Sequence, residues 1–421
     1  MTTTRREMLR QAGSGSLLAA AASLSGAATA TASGSPTMGA GRTLPDTAAF
    51  APMGVTYLDS GSQHPVSRLA KIAVERYEAK RTFAADASGY ELDEDGVKAK
   101  FARLVNASVE EIAFVQSTTA GEQAILRSLG IPQSGGHIIV DELHFFGSIP
   151  LYLELQKQGM EVSWIKARDG RIDPADIRAA LRKDTRLVAL SLVSTINGFE
   201  HDLKRVCDIA HAGGALVYAD IVHAAGCVPV DLHASGVDFA ATASYKWLMG
   251  DFGLGFVYVR KDILPRLKRP NVGYYGLADL RTHIYPLDPS GESVADYSFT
   301  PDVSGYFSTG TYAHSVIAQL GASLDYIADL GVSAIQRHAQ GLCDHMKAEL
   351  PKLGYRLMTP AEARTPLVAC IAPDARNMLG PVLNEAKVRI TLSANRFRMS
   401  PSVFNSHADI ERLLSILPRA V

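Results

Sequence analysis

The chain has 421 residues, 47% hydrophobic and 20% charged, which is enough to bury a large core and a smaller one beside it. Lys and Arg (42) nearly balance Asp and Glu (43), and no basic run stands out, so charge gives no support to nucleic-acid or anionic-membrane binding. The four cysteines, Cys207, Cys227, Cys343 and Cys370, lie far apart, matching neither a metal-ligand spacing nor a dense disulfide framework.

The N-terminus reads differently from the rest. Thr4-Arg5-Arg6-Glu7-Met8-Leu9-Arg10 is followed by an Ala-rich, weakly apolar stretch from Ser16 to Ala27, then by small residues suited to cleavage, Ala28 to Ala32. The stretch is too short and too rich in Ala, Ser and Gly to span a bilayer, which takes about 20 apolar residues. In this order the features resemble a twin-arginine export signal over residues 1–32; a chance Arg-Arg pair in a disordered terminus is the rival reading. The resemblance implies passage through the twin-arginine translocase, no stable membrane insertion and a periplasmic or secreted location. Residues 33–54, rich in Gly, Ala, Pro and Thr, read as a linker.

From Val55 onward, short apolar runs alternate with helical patterns. Strands are expected at Ile112–Val115, His137–Val140, Leu187–Leu192, Ala215–Ala219 and Gly255–Val259, with helices at Ala120–Leu129, Ile149–Gln158, Pro174–Arg182 and Leu203–Ala212 between them. Apolar runs of this length separated by helices predict an α/β fold, a mainly parallel sheet covered on both faces. In such a layer ligands sit at the carboxyl ends of the strands. After about Gly310 longer helices (Ala313–Leu330, Ser333–Leu353), a strand-like segment (Leu367–Ala372) and a last helix (His407–Leu417) suggest a smaller α+β domain over 310–421, after a large one over 55–309.

The chemistry concentrates after one of these strands and after a further apolar segment. Ala215–Ala219 ends at Asp220, with His223 three residues on, and Val237–Ala243 leads into Ser244-Tyr245-Lys246-Trp247-Leu248 and a Gly-rich turn, Gly250–Gly255. An acid at a strand end and a lysine in a Ser-x-Lys-Trp turn suit pyridoxal 5′-phosphate. That cofactor needs an amine for its Schiff base and a carboxylate that keeps its ring nitrogen protonated.

These segments, with Pro229, Asp231 and Asp238-Phe239, resemble the class V aminotransferase family of fold type I enzymes. The match extends from Tyr57-Leu58-Asp59-Ser60-Gly61 to Arg398–Asn405, and the pattern is nearest to the isopenicillin N epimerase-like branch. The resemblance implies that Lys246 holds the cofactor and shuttles protons, Asp220 faces the ring nitrogen and His223 bonds the phenolic oxygen. Thr118, Thr119 and Ser244 would bind the phosphate, and Thr311, in Gly310-Thr311, would reach the phosphate of a neighbouring subunit, which makes the active unit a homodimer. Phe146 is the favoured ring-stacking residue, with His144 next and Phe145 also open. Thr195 would sit near substrate and cofactor, and Arg398, with Arg396 as fallback, would fork onto a substrate carboxylate. The bland alternatives are a helix cap for Asp220 or Thr119, a core histidine for His223, core rings for the phenylalanines and a surface ion pair for Arg398.

Two departures matter. Tyr245 stands where the family usually has a histidine. No cysteine lies between Gly380 and Arg398, where desulfurases of the family carry their nucleophile, and Cys370 falls in an expected buried strand. The sequence therefore suits an enzyme acting on an amino-acid-like or peptide substrate, aminotransferase or epimerase-like, with a C–S or other β-elimination lyase lacking a persulfide cysteine as the alternative. A non-catalytic periplasmic binding protein on the same fold is a further alternative. A nicotinamide oxidoreductase would need a Gly-x-Gly-x-x-Gly loop after its first strand, and none is present. His64, Arg81 and Tyr274 are candidate pocket-lining residues.

Overall fold

The computed structural model describes residues 42–83 and 92–420. The twin-arginine segment 1–32 and residues 33–41 of the linker lie outside the described residues.

A two-residue strand, β1 (Thr56–Tyr57), precedes the strands of the main sheet: β2 (Ile112–Val115), β3 (His137–Asp141), β4 (Glu161–Ile165), β5 (Thr185–Ser191), β6 (Leu216–Asp220), β7 (Phe239–Ala243) and β8 (Gly255–Val259). They lie in the order β2-β8-β7-β6-β5-β3-β4, and β8 alone runs antiparallel to its neighbours. The fold is the expected α/β layer, with two strands not among those expected: β7, and β4, a sheet edge whose Glu161–Trp164 are not fully buried.

Successive side chains of a strand point to opposite faces, and both faces here are covered. Ile139, Val188, Leu190, Val217, Ala219, Ala240 and Phe256 join one apolar cluster, while Ile138, Val140, Leu187, Ala189, Tyr218, Phe239 and Val257 join the other. Covering helices start where side chains can cap them. Ser117 accepts the Ala120 N–H ahead of helix Thr118–Ser128, and Asp202 accepts the Arg205 N–H ahead of Leu203–Ala212.

Beyond the sheet, β9 (Leu277–Thr282) and β10 (Ala295–Phe299) form an antiparallel hairpin of their own. The smaller domain is built on β11 (Arg356–Leu357), β12 (Val368–Ile371), β13 (Val388–Arg389), β14 (Thr391–Leu392) and β15 (Arg396–Met399). Its antiparallel sheet runs β11-β12-β15-β14, while β13 pairs in parallel with β1. Its apolar cluster holds Leu58, Met346, Val368, Cys370, Phe397, Met399 and Ile410.

The apolar cluster of the main sheet extends past the expected boundary at residue 310. Ile317, Leu320, Leu324 and Ile327, on helix His314–Leu330, pack into the large-domain core, and the crossover comes within helix Val332–Glu349, between Ile335 and Leu342. The change of texture at Gly310 marks a loop, and the apolar stripe behind it still faces the large domain. The small domain also recruits residues 56–58 from the N-terminal side. Among the described residues no helix is long and apolar enough to cross a membrane.

Phe256, fully buried on β8, stacks on Phe101 at 4.0 Å and lies 5.3 Å from Phe114. Phe256→Ala should lower unfolding stability by about 3–5 kcal/mol. Denaturant titration followed by circular dichroism would read this, and an unchanged midpoint would show that the stack is not part of the core.

Candidate active site

Carboxyl ends of β2, β3, β5, β6 and β7 converge, and the residues that follow them form the site. After β7 the chain turns sharply through Ser244–Gly250. The turn is braced by Ser244 N–H on Leu254 O (2.9 Å), Gly250 N–H on Ser244 O (2.9 Å) and Met249 N–H on Lys246 O (2.9 Å). Gly226 approaches it so closely that a Cβ there would lie 2.4 Å from Trp247 O, and its φ of +97° is one that glycine tolerates. The turn delivers Lys246, only 7% exposed, into the site.

Lys246 Nζ is 3.0 Å from His223 Nε2, and Trp247 Nε1 is 3.3 Å from His223 Nδ1. An indole N–H only donates. His223 Nδ1 therefore accepts, its proton sits on Nε2, and Nε2–H points at the amine, which accepts it when unprotonated. Burial, the largest influence, brings the Lys246 pKa down to about 8, with Asp220 acting upward and Arg398 downward. Burial also holds His223 well below the usual histidine range, reinforced by Lys246 and Arg398.

Asp220 is 3% exposed at the end of β6, and its Oδ1 accepts the Val222 N–H at 2.9 Å. Burial raises its pKa, opposed by the neighbouring His144 and by that N–H. A buried acid of this kind gains most from a cationic partner such as a protonated pyridine nitrogen. Thr118 and Thr119 open the helix after β2, where the first backbone N–H groups lack helical acceptors. The cap is Ser117, not Thr119.

Three expected roles change. Phe146 is 57% exposed; the rings beside the lysine are those of Phe145 and Tyr245, with centroids 5.9 and 5.8 Å from Nζ, and the Phe145 backbone N–H is anchored on Ser191 Oγ at 3.1 Å. His144 is buried away from the amine, against Glu122 and Ser191. The Ser244 hydroxyl donates to Asp251 O at 2.6 Å, so its one proton braces the lysine turn and is not offered to a phosphate.

Arg398 reaches the site from β15. Alternation along that strand sends Phe397 and Met399 into the small core and leaves Arg396 and Arg398 facing the large domain. Arg398, 3% exposed, donates through Nη1 to Thr195 O (3.0 Å) and Oγ1 (2.7 Å), and through Nη2 to Ser62 Oγ (2.9 Å) and Thr391 Oγ1 (3.0 Å). Its Nε has no acceptor among the described residues. Arg396 Nη1 donates to Ile196 O.

Asp59, Ser62 and Thr391 complete this corner and were not singled out as site residues. Thr391 donates to Asp59, whose carboxylate lies 3.8 Å from Arg398. The available signal was Asp59 itself, within the Leu58–Gly61 motif. His64 braces the lysine turn: its N–H bonds Tyr245 O, and its ring is held by Pro65 O and Ser402 Oγ, both at 2.8 Å. Thr311 is exposed and meets Tyr274 OH at 2.8 Å, and Arg81 is exposed on helix Arg68–Phe83.

A buried amine of lowered pKa, aromatic rings beside it, a buried acid and an open helix N-terminus together fit pyridoxal phosphate. Covalent capture of that aldehyde by the apoprotein should rise through about pH 8 and level off above it. Borohydride trapping and mass spectrometry would read this on the Lys246 peptide. A midpoint near the ordinary lysine value of 10.5 would show that the amine is not held neutral.

The fold is shared with solved structures. An apo cysteine desulfurase from Thermococcus onnurineus NA1 superposes with a TM-score of 0.78 at 22% identity, covering 90% of this chain and 98% of that one. A cystine C–S lyase in complex with its reaction product cysteine persulfide gives 0.75 at 19% identity, covering 86% and 97%. A probable cysteine desulfurase of Methanothermobacter thermautotrophicus is 29% identical over 255 residues, which span 60% of each chain. The model of one family, described as aminotransferase class-V, matches residues 89–392, which take in the Asp220 strand and the Lys246 turn. This chain therefore belongs to the aminotransferase class-V family and is a pyridoxal-phosphate-dependent enzyme.

Proposed function

We propose that the enzyme acts at the amino group or α-carbon of an amino-acid-like or peptide substrate, by aminotransferase or epimerase-like chemistry. The observation that carries this reading is Arg398, a buried guanidinium whose hydrogen bonds go to hydroxyls and one carbonyl, with the Asp59 carboxylate 3.8 Å from Nη2 and Nε still lacking an acceptor. A substrate carboxylate would give this cation a directly hydrogen-bonded charged partner in the fork geometry that arginine favours.

Pyridoxal phosphate supplies the electron sink that stabilises negative charge on the substrate carbon. The chain's own residues do the rest. Lys246, free of charge when unprotonated, takes and returns a proton at that carbon. His223 holds its Nε2–H toward the amine, ready to bond the cofactor's phenolic oxygen. Asp220 would hold the ring nitrogen, and Arg398 would fix the substrate carboxylate.

A second reading, β-elimination at a C–S bond, is favoured by the names of the relatives. It has to proceed without a protein persulfide. All four cysteines are buried, and burial pushes the Cys207, Cys343 and Cys370 thiols up to about 12 and Cys227 well above its usual value. Reactive thiols need the opposite setting.

We further propose a homodimer. Thr311 and Tyr274 are paired on the surface, and the nearby hairpin exposes Ile284, Tyr285, Leu287, Val294 and Tyr297. A second copy covering this face would bring Thr311 to the neighbouring phosphate. Export is proposed from the N-terminal residues alone. Arg5→Lys with Arg6→Lys should leave the protein in the cytoplasm, and normal export of that variant, read by cell fractionation, would refute the signal.

The reaction is tested by giving the holoenzyme a panel of amino acids and peptides and following keto acid, inverted product, pyruvate and sulfide together. Arg398→Lys should raise KM for carboxylate-bearing substrates about tenfold or more, since lysine loses the planar fork. Sulfide and pyruvate without transamination would favour the lyase. No product from any class, with the cofactor spectrum unmoved by amines, would favour a binding protein.

A further inference from the structure

Behind Asp220 lies a buried polar cluster that the reading above does not use. Glu122, 2% exposed on helix Thr118–Ser128, receives Ser148 Oγ at 2.6 Å, Tyr152 OH at 2.7 Å and His144 Nε2 at 3.0 Å. Three donors converging on one carboxyl suit an ionised Glu122, which accepts only. A carboxylate taken out of water needs a cationic partner or must take up a proton. Among the described residues the cation partner within hydrogen-bonding distance is His144, 1% exposed.

The other side of His144 leads toward Asp220. His144 Nδ1 is 3.0 Å from Ser191 Oγ, which also accepts the Phe145 N–H at 3.1 Å. Having accepted from both, the Ser191 hydroxyl keeps its own proton to donate. Ser191 and Asp220 are register partners on the adjacent parallel strands β5 and β6, so their side chains leave the sheet on the same face.

We infer that Glu122 and His144 form a buried ion pair that keeps Asp220 in its carboxylate form, making His144 a positioning residue for the acid opposite the cofactor's ring nitrogen. The charges then alternate from the protein interior outward: Glu122 negative, His144 positive, Asp220 negative, ring nitrogen positive. The other groups facing His144 do not undo the order. Asp141, at the end of β3, is 3.3 Å from His201, and its charge also favours a cationic His144. Burial holds Tyr152 and Tyr218, both packed against the imidazole, in their neutral forms. Burial opposes the charge on His144, but Glu122, Asp141 and Asp220 outweigh it.

The inference rests on Asp220 facing the ring nitrogen, and the experiment separates the two claims. In the apoprotein, nitrogen NMR of the imidazoles should show His144 protonated on both nitrogens at neutral pH, and Glu122→Gln should remove one of those protons. In the holoenzyme, Glu122→Gln should shift the pH titration of the Lys246-linked cofactor absorbance by about one unit and weaken pyridoxal phosphate binding about tenfold. Gln is close in shape, so a merely structural Glu122 would move the thermal midpoint and leave the absorbance titration alone. A neutral His144 in the wild-type apoprotein, or an unmoved titration in a folded Glu122→Gln variant, overturns the relay. If Asp220→Asn leaves the absorbance unchanged while His144 is still a cation, the placement of Asp220 against the cofactor fails instead, and with it the role given to His144.

Discussion

A lysine buried to 7% exposure, with no salt bridge among the described residues, is costly as a cation because its ammonium has lost its water. The site meets that cost by bringing the amine's pKa down to about 8, and the rest of the arrangement follows from it. A neutral amine can accept the His223 Nε2–H, which fixes the histidine tautomer, and the Trp247 indole fixes the other ring nitrogen. The Trp247 backbone is pressed against Gly226 by a turn that no larger residue would permit. Local backbone geometry, ring tautomer and nucleophile thus depend on one another.

The second constraint is that Arg398 belongs to one domain and its partners largely to another. Period two along β15 aims it across the boundary, where Thr195 follows β5 of the large sheet. Ser62, just after β1, and Thr391, on β14, supply the remaining acceptors. Because residues 56–58 join the small domain through β1, β13 and Leu58, the corner holding Asp59 and Ser62 is built by the small domain and by the segment it recruits. The arginine is consequently desolvated on all sides, and burial pulls its pKa to about 10.

Much of this was legible in the sequence because it was local or periodic. The apolar runs gave five of the seven strands of the main sheet, and the sequence alone set Asp220 at a strand end and Lys246 in a turn before a Gly-rich loop. What the sequence hid was orientation over short distances. Phe145 and Phe146 are adjacent and of one type, and only the turn after Asp141, which tethers the Phe145 N–H to Ser191, decides which ring faces inward. Ser244 matched a motif position, yet which way its hydroxyl points depends on the return of Asp251 in the following loop. Glu122 was hidden for a different reason. Its neighbours Gly121, Ala124 and Ile125 are buried, so it lies on an apolar helix face, where a charge makes sense only once His144, 22 residues later, is seen beside it.

On the proposed role of Arg398, its charge does more than hold a carboxylate. In the substrate-free site the guanidinium lowers the pKa of both Lys246 and His223. A bound substrate carboxylate would offset that charge and weaken its downward push on the lysine. Lys246 would then be a stronger base toward a proton on the substrate carbon. An uncharged isostere of the substrate would bind without this effect. Recognition of the carboxylate and basicity of the lysine are therefore coupled through ordinary electrostatics, across a domain boundary and without a moving part.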